Sequence, residues 1–207
     1  MESRIIQIVF VAIMLIGGAA QADESADSGR KAAFALSQIM IDKQAPISRS
    51  EVWAWDMFLN SDLYVVTQSQ NKHDMYKVRL QALPLATTHI AAGVVVQHLG
   101  VTGIAPSDMT GMVVRLQGKP CVGCFVKADT RYFPSKKFAD GYIVGGSRHM
   151  FIDLLWQYDT NTEKGLLRPG VDYRFTRNVS LGLEGGYVGK FSSLTRSYAG
   201  IRLKVRF

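Results

Sequence analysis

Two cysteines three positions apart carry the chemistry that depends most on spacing in this sequence. Cys121 and Cys124 enclose Val-Gly and are the chain's two cysteines. A redox-active pair of this kind lies at the start of a helix, whose dipole lowers the thiol pKa, whereas this segment lies between two strand-like patterns. Two cysteines without neighbouring histidines do not make a zinc site. We therefore predict a disulfide that holds a hairpin turn, as suits an oxidising compartment. Two free thiols, or a redox or metal role, are the alternatives.

A serine, a histidine and an aspartate could supply nucleophilic catalysis if the fold brought them together. Ser147, His149 and Asp153 alternate in sequence, which places them on one face of a predicted strand. Asp153 would lie about 13 Å from His149, at ~3.3 Å per residue, so a triad would need a carboxylate from a neighbouring strand, such as Asp129 or Asp172. Ser147 and His149 are candidates only under that condition. The main interpretation is that these three side chains form structural hydrogen bonds inside a β-barrel rather than a catalytic site.

Six charged residues occupy alternate positions in three consecutive segments near the end of the chain. Adjacent strands would bring them together, so that each carboxylate can meet an arginine. The sequence predicts a packed ionic interior, with a narrow anion-preferring path as the functional alternative. The six residues are Arg168, Asp172, Arg174, Glu184, Arg202 and Arg206.

The elements that must position these residues show a period of two from about Asp74 onward. In the last segment, Ala199, Ile201, Leu203 and Val205 alternate with glycine, arginine and lysine. Dyad patterns of about ten residues separated by turn-forming residues are typical of tilted membrane-spanning strands. Alternation alone does not reveal which face points to water, so a soluble periplasmic β-sandwich or barrel is the alternative fold.

Three features favour a membrane barrel over a soluble one. They are the predicted signal for export, the aromatic residues near the predicted strand ends, and the last residue of the chain. The last strand pattern ends on Phe207. In this the chain resembles small bacterial outer-membrane barrel proteins, whose terminal strand ends in Phe and is read by the barrel-assembly machinery; Val205 stands where many of them have an aromatic residue. The resemblance is to a class of proteins. It implies that Ala199 to Phe207 is the segment that the assembly machinery reads, in the outer membrane of a Gram-negative bacterium.

The predicted fold is an all-β, antiparallel, up-and-down transmembrane barrel over residues 74–207. Eight strands account for this range. Asp62 to Gln68 resembles a ninth strand, and Val52 to Phe58 would make a tenth, so ten is the alternative to eight. Residues 23–73 are predicted to be a periplasmic segment. Within it, Lys31 to Lys43 has apolar residues at helical spacing, which predicts a short helix.

Met1 to Ala22 is predicted to be a secretory signal peptide, because a basic residue and an apolar stretch precede Ala20-Gln21-Ala22. Beyond it we find no apolar run long enough for a membrane-spanning helix, which needs about 18 residues. The net charge is +7. In an exported chain this charge favours contact with outer-membrane lipid and lipopolysaccharide rather than with nucleic acid.

The sequence contains no phosphate-binding loop, HExxH segment or calcium loop, so no cofactor or metal is predicted. The main functional hypothesis is a barrel with a structural or surface-interaction role and a charged, largely filled lumen. A lipid A acyl-modifying enzyme and a narrow anion-preferring pore are the alternatives, and a non-enzyme is favoured.

Overall fold

Twelve antiparallel strands form a closed barrel in which each strand pairs with its neighbours in sequence and β1 pairs with β12. The computed structural model describes residues 32–41, 47–55, 57, 60–70, 73–176, 178–190 and 193–206. The strands are β1 (Ala32–Ile41), β2 (Ile47–Ala54), β3 (Ser61–Gln70), β4 (His73–Ala86), β5 (Ile90–Val101), β6 (Ile104–Gly118), β7 (Phe125–Phe133), β8 (Phe138–Gly146), β9 (Met150–Asp159), β10 (Lys164–Arg174), β11 (Val179–Lys190) and β12 (Ser193–Arg206).

The period of two produces an inside-out barrel, with charged side chains buried and apolar side chains exposed. Along β12, Arg202 is 1% exposed while its neighbour Ile201 is 59% exposed. Along β11, Glu184 is buried and Leu183 is exposed. A soluble barrel has the opposite arrangement. The exposed apolar face therefore meets lipid, and the charged face lines the lumen.

Aromatic side chains on the outer face lie near the strand ends, as in the girdles of membrane barrels. Tyr173 and Phe175 lie at one end, where β10 finishes, and their rings are 5.2 Å apart. Tyr132 and Tyr187 lie toward the other end and are 42% and 48% exposed. The apolar band is thus bounded at both ends, as a membrane-spanning band requires.

The two ends of the barrel are distinguished by the chain ends. Ala33 lies opposite Arg206, so the first and last described strands begin and finish at the same end. In bacterial barrels with an even strand number this is the periplasmic end, and we call the opposite end extracellular. Described connections are short at both ends: Thr102 and Gly103 alone join β5 to β6 at the extracellular end, and Thr87, Thr88 and His89 join β4 to β5 at the periplasmic end.

The predicted strand count of eight, or ten, is wrong, and so is the N-terminal helix. Residues placed ahead of the barrel form β1, β2 and β3 within it. In β1 the inward residues are Ala33, Ala35 and Ser37, which are small rather than charged, so the alternation is invisible and the alanines mimic helical spacing. Among the described residues, no helix is long and apolar enough to cross a membrane.

Strand β8 accounts for the remaining error in the predicted count. Its outward positions include Gly141 and Gly145, so Ile143 is the one large apolar side chain on the outer face of this strand. Trp156 of β9 lies where a Cβ on Gly141 would be, which explains why glycine is needed at that position. The side chain that covers the outer face of β8 at this position thus belongs to β9, and the periodicity of the β8 sequence does not show it.

Two sequence-based predictions fall outside the described residues. The signal peptide, Met1 to Ala22, is one of them. The other prediction concerns Phe207, which lies outside the described residues. Recognition of Ala199 to Phe207 by the assembly machinery therefore stays a prediction. The preceding residues of that segment form the end of β12.

Candidate functional site: the charged lumen

The lumen contains two ion-pair clusters on opposite parts of the wall. The first cluster comprises four basic and four acidic residues from β2 and β9 to β12. It is neutral overall when all groups are ionised. Its members are Arg49, Glu51, Asp153, Arg168, Asp172, Glu184, Arg202 and Lys204.

Arg202 is the centre of the first cluster. Its Nη2 lies 2.5 Å from Oδ2 of Asp153 and 2.8 Å from Oδ2 of Asp172, and its Nε donates to Oδ1 of Asp172 at 3.0 Å. Lys204 Nζ also donates to Oδ2 of Asp172, at 2.8 Å. Two parallel N–H bonds to one carboxylate are a strong, orientation-specific arrangement. Three strands of one part of the wall, β9, β10 and β12, supply these residues, and β11 lies between β10 and β12.

Strand β2, which the sequence-based interpretation left outside the eight-stranded barrel, completes the first cluster. Arg49 Nη2 lies 2.5 Å from Oε2 of Glu184, and Arg49 Nε lies 2.6 Å from Oε1 of Glu51. The same Glu51 oxygen accepts a hydrogen bond from Arg168 Nη1 at 2.8 Å. Arg49 on β2 therefore reaches Glu184 on β11 across the seam between β1 and β12.

The second cluster lies on β3 to β8 and also contains two glutamines. Arg115 Nε donates to Asp129 Oδ1 at 2.7 Å, and Arg131 Nη1 donates to Asp140 Oδ1 at 2.9 Å. Gln81 connects the pairs, since its Nε2 donates to Asp129 and its Oε1 accepts from Arg131 Nε. The remaining members are Asp62, paired with Arg115 and Lys127, Arg79, paired with Asp140, and Gln97, which accepts from Arg79.

The second cluster carries more basic than acidic residues. Lys77 belongs to the same inward face, two positions before Arg79 on β4. With it, five basic side chains (Lys77, Arg79, Arg115, Lys127 and Arg131) face three carboxylates (Asp62, Asp129 and Asp140). The two clusters therefore differ in charge, with a surplus of two positive charges on the β3–β8 side.

Many side chains of both clusters are almost completely buried. Glu51 and Asp172 have no exposed surface, Asp153 and Arg202 are 1% exposed, and Asp140 is 2% exposed. A side chain that lined a water-filled channel would keep accessible surface. The near-zero exposure instead shows that neighbouring side chains fill the space around the ion pairs.

Arg174 and Arg206, the two remaining members of the predicted charge set, lie near the periplasmic end of the lumen. Their guanidinium carbons lie 4.4 Å and 4.0 Å from the centroid of the Phe151 ring. Phe151 is 2% exposed and also packs against Phe125. Cation–π contacts of this kind are stronger where water is excluded. These two arginines thus share the ring of Phe151.

Apolar side chains fill another part of the barrel interior. Leu83, Val95, Val113 and Phe133 are buried together, and Phe138 packs against them. The register between β4 and β5 shifts between Ala82 and Leu85. A bulge there accommodates Pro84, which has no N–H to donate to the sheet. The interior therefore combines ionic and apolar packing.

The structure separates the residues that could have formed a catalytic triad. Ser147 and His149 lie in the exposed turn between β8 and β9, rather than in a strand. Asp153 points into the lumen, where it pairs with Arg202. Cys121 and Cys124 form the predicted disulfide in the periplasmic turn between β6 and β7, with their Cα atoms 5.0 Å apart. Neither turn brings a nucleophile and a base together.

A hydrogen-bonded chain on the outer face near the extracellular end was not predicted. His98 Nδ1 lies 2.5 Å from Asp108 Oδ1, and its Nε2 lies 3.1 Å from the hydroxyl of Tyr76. Donation from Nδ1 to the carboxylate leaves Nε2 to accept the phenolic proton. The chain crosses β4, β5 and β6. Pairing of Val78 with His98 and of His98 with Asp108 brings these residues together, and no local spacing reveals it.

Among the described residues, no group of three histidine, cysteine, aspartate or glutamate side chains could hold a metal ion. The carboxylates of the lumen instead face arginine or lysine. Within this part of the chain, the lumen therefore offers paired charges rather than a metal-binding set.

Solved structures with this architecture are bacterial outer-membrane barrels. The KdgM porin matches with a TM-score of 0.63 and 11% identity, covering 84% of this chain and 99% of that one. The chain folds as an outer-membrane β-barrel. Omp33 of Acinetobacter baumannii matches with a TM-score of 0.58 and 11% identity, covering 86% and 98% of the two chains. Phospholipase A of Escherichia coli matches with a TM-score of 0.54 and 14% identity, covering 92% and 96%.

The likeness extends to fold and not to family. No family model matches this sequence, and no curated protein matches it. The barrel architecture, the inside-out alternation and these neighbours place the protein in the bacterial outer membrane. The porins and the phospholipase share the barrel architecture but differ in activity, so the role of this barrel must be argued from its own lumen and surface.

Proposed function

We propose that this protein is a closed outer-membrane barrel that acts through its surface rather than by passing solutes. The observation that carries the proposal is the burial of the ion-pair clusters: Glu51 and Asp172 have no exposed surface, and Arg202 has 1%. Each of these side chains also bonds to residues of other strands, so opening a path would break several charge-assisted bonds at once.

The closed lumen is tested by conductance in planar lipid bilayers. We expect the wild-type barrel to give no current steps. Replacing both members of a lumen pair, in Arg79→Ser with Asp140→Ser, should create a conducting path, because two large side chains are shortened together. Arg131 loses Asp140 in this variant but keeps Asp129 at 3.1 Å. The matched control removes the exposed pair in Glu163→Ser with Lys190→Ser, which lies 3.5 Å apart outside the lumen and should leave the barrel silent.

Current steps from the wild-type protein would instead support the second candidate, a narrow anion-preferring pore. The surplus of positive charge in the second cluster favours this candidate, and the KdgM neighbour is a porin. In that case Lys77→Gln with Lys127→Gln should reduce the preference for anions, because these lysines contribute the surplus.

The surface that we propose to act is the extracellular rim, and its partner is the phosphate of lipopolysaccharide. Exposed lysines are grouped there, whereas the basic residues of the two clusters face the lumen. Lys136 and Lys137 lie in the turn between β7 and β8, Lys164 begins β10, and Lys190 ends β11. Basic side chains at a membrane surface attract anionic headgroups. The extracellular lysines therefore support contact with the phosphate-bearing leaflet.

Removing the four rim lysines should weaken lipopolysaccharide binding by about tenfold or more, since each surface lysine contributes to binding of an anionic layer. The variant carries glutamine at positions 136, 137, 164 and 190. Binding is measured by titrating the detergent-solubilised barrel with purified lipopolysaccharide. The control carries Lys119→Gln with Arg148→Gln, two exposed basic residues of periplasmic turns. Equal affinity of both variants would contradict a specific role of the rim.

A further inference from the structure

A groove indents the outer wall along the periplasmic part of β7, β8 and β9. It encloses about 540 Å³, and its surface is almost entirely apolar. Its floor is Gly145, which lies opposite Val126 on β7 and opposite Ile152 on β9. The groove exists because the position between these two branched side chains carries no side chain. Ile143 and Leu154, which lie opposite each other, line its upper part.

The groove lies in the periplasmic half of the apolar band. Met150, at its lower edge, lies opposite Tyr173 of the aromatic girdle. Leu154, at its upper edge, is four residues further along β9, or about 13 Å along the strand at ~3.3 Å per residue. A strand tilt of about 40° makes this a height of roughly 10 Å, within a band that is about 25 Å tall. The groove therefore faces the acyl chains of the periplasmic leaflet.

Two turns close the groove on its periplasmic side. Pro120 and Cys124 of the turn between β6 and β7 line it, and the disulfide between Cys121 and Cys124 joins the two sides of this turn. The turn between β8 and β9 contributes Ser147, whose N–H donates to the carbonyl oxygen of Met150 at 2.8 Å. A covalent bond in one turn and a hydrogen bond in the other thus hold these walls of the groove in place.

The same two turns carry basic side chains and no acidic ones. Lys119 lies in the first turn and Arg148 in the second, and both are exposed. Neither residues 119–124 nor residues 147–149 include an aspartate or a glutamate. Asp153 also borders the groove, but its carboxylate points into the lumen. An apolar groove that ends at positive charge is complementary to a lipid that has an acyl chain and an anionic headgroup.

We propose that the groove holds one acyl chain of an anionic phospholipid of the periplasmic leaflet, whose phosphate contacts Lys119 and Arg148. A chain inside the groove contacts protein on several sides and gains more dispersion energy than a chain against a convex wall. Lipopolysaccharide is not the occupant, because it lies in the opposite leaflet. The inference goes beyond the proposed function, which concerns the extracellular rim, and it holds whether or not the lumen conducts.

Titration of the detergent-solubilised barrel with phosphatidylglycerol, followed by native mass spectrometry, tests the proposal. Gly145→Leu should weaken binding by about tenfold or more, because the leucine side chain takes the place of the acyl chain. Its Cβ would lie 3.3 Å from the carbonyl oxygen of Phe125, so a small adjustment accommodates it. The matched control is Gly185→Leu on the outer face of β11, where the Cβ would lie 3.5 Å from the carbonyl oxygen of Tyr198. This control should bind like the wild type.

Heat-dependent gel mobility identifies the variants that fold. Equal affinity of Gly145→Leu and Gly185→Leu for phosphatidylglycerol would overturn the proposal, as would a wild-type barrel that binds none. A photocrosslinker that replaces Ile143, which lines the groove, should capture phospholipid in intact outer membranes. Capture of a protein at that position would overturn the assignment to a lipid.

Removal of the two basic side chains tests the headgroup contact and leaves the groove unfilled. Lys119→Gln with Arg148→Gln should weaken binding of phosphatidylglycerol by about tenfold, while binding of phosphatidylcholine, which has no net charge, should not change. The control carries glutamine at rim positions 136, 137, 164 and 190 and should keep the wild-type affinity for phosphatidylglycerol. Equal effects of the two variants, or equal binding of the two lipids by the wild type, would overturn the proposal.

Discussion

Replacing Arg202 with methionine should lower the free energy of unfolding by about 3–5 kcal/mol, the usual cost of removing one partner from a buried ion pair. Methionine has a similar length but donates no hydrogen bond. Asp153 would keep only Lys204, whose Nζ is 4.0 Å away, as a basic partner in the first cluster. Asp172 would keep Lys204 at 2.8 Å. The loss thus leaves one buried carboxylate poorly compensated.

Urea titration in lipid vesicles, followed by tryptophan fluorescence, measures this effect. Arg148→Met is the matched control, because Arg148 lies in an exposed turn and should change stability by less than about 0.5 kcal/mol. Arg202→Lys should fall between the two, since lysine keeps the charge but not the fork of donors. An Arg202→Met barrel as stable as the control would show that the first cluster contributes nothing to folding.

The second large effect is expected on the outer face. Leu183→Arg should cost about 2–4 kcal/mol, the penalty for arginine near the bilayer midplane of a barrel. Leu183 is 62% exposed and lies four residues from the periplasmic end of β11. That is about 13 Å along the strand at ~3.3 Å per residue, near the middle of the apolar band. Its neighbour Glu184 faces the lumen. A charged side chain should therefore be destabilising at position 183 but accommodated at position 184.

The same vesicle assay provides the comparison for Leu183→Arg. Thr162→Arg introduces the same side chain into the exposed extracellular turn between β9 and β10, where it should cost little. Leu183→Ala separates loss of the leucine from insertion of a charge. If Leu183→Arg unfolds at the same urea concentration as Thr162→Arg, the outer face of β11 is not in contact with lipid.

The sequence was sufficient to predict the membrane-barrel class but not the strand number, for a physical reason visible in particular strands. Strands β10, β11 and β12 alternate large apolar with charged residues, and their pattern is unambiguous. Strand β1 has alanine on its inner face, β2 has serine on its outer face, and β8 has glycine there. Period two appears in a sequence only where the two faces differ in polarity, and in these strands they do not.

The lumen was only partly predictable from the sequence. Alternation assigned Arg202 and Asp172 to the same face of the sheet, and the structure has them hydrogen-bonded across the intervening strand β11. It gave no sign of Arg49 bonding to Glu184, since these residues are 135 positions apart and meet only because the barrel closes. The turn position of Ser147 and His149 was likewise missed, because β8 was not recognised and the following strand was started too early.

Barrel closure has a kinetic consequence. Every strand pair except one joins neighbours in sequence through a short turn, so hairpins can form with little loss of chain entropy. The pairing of β1 with β12 spans most of the chain and must overcome the largest loop-closure cost. We expect this seam to form last during assembly. Arg49 bonds to Glu184 across that seam, so the first ion-pair cluster would be completed only when the barrel has become a cylinder.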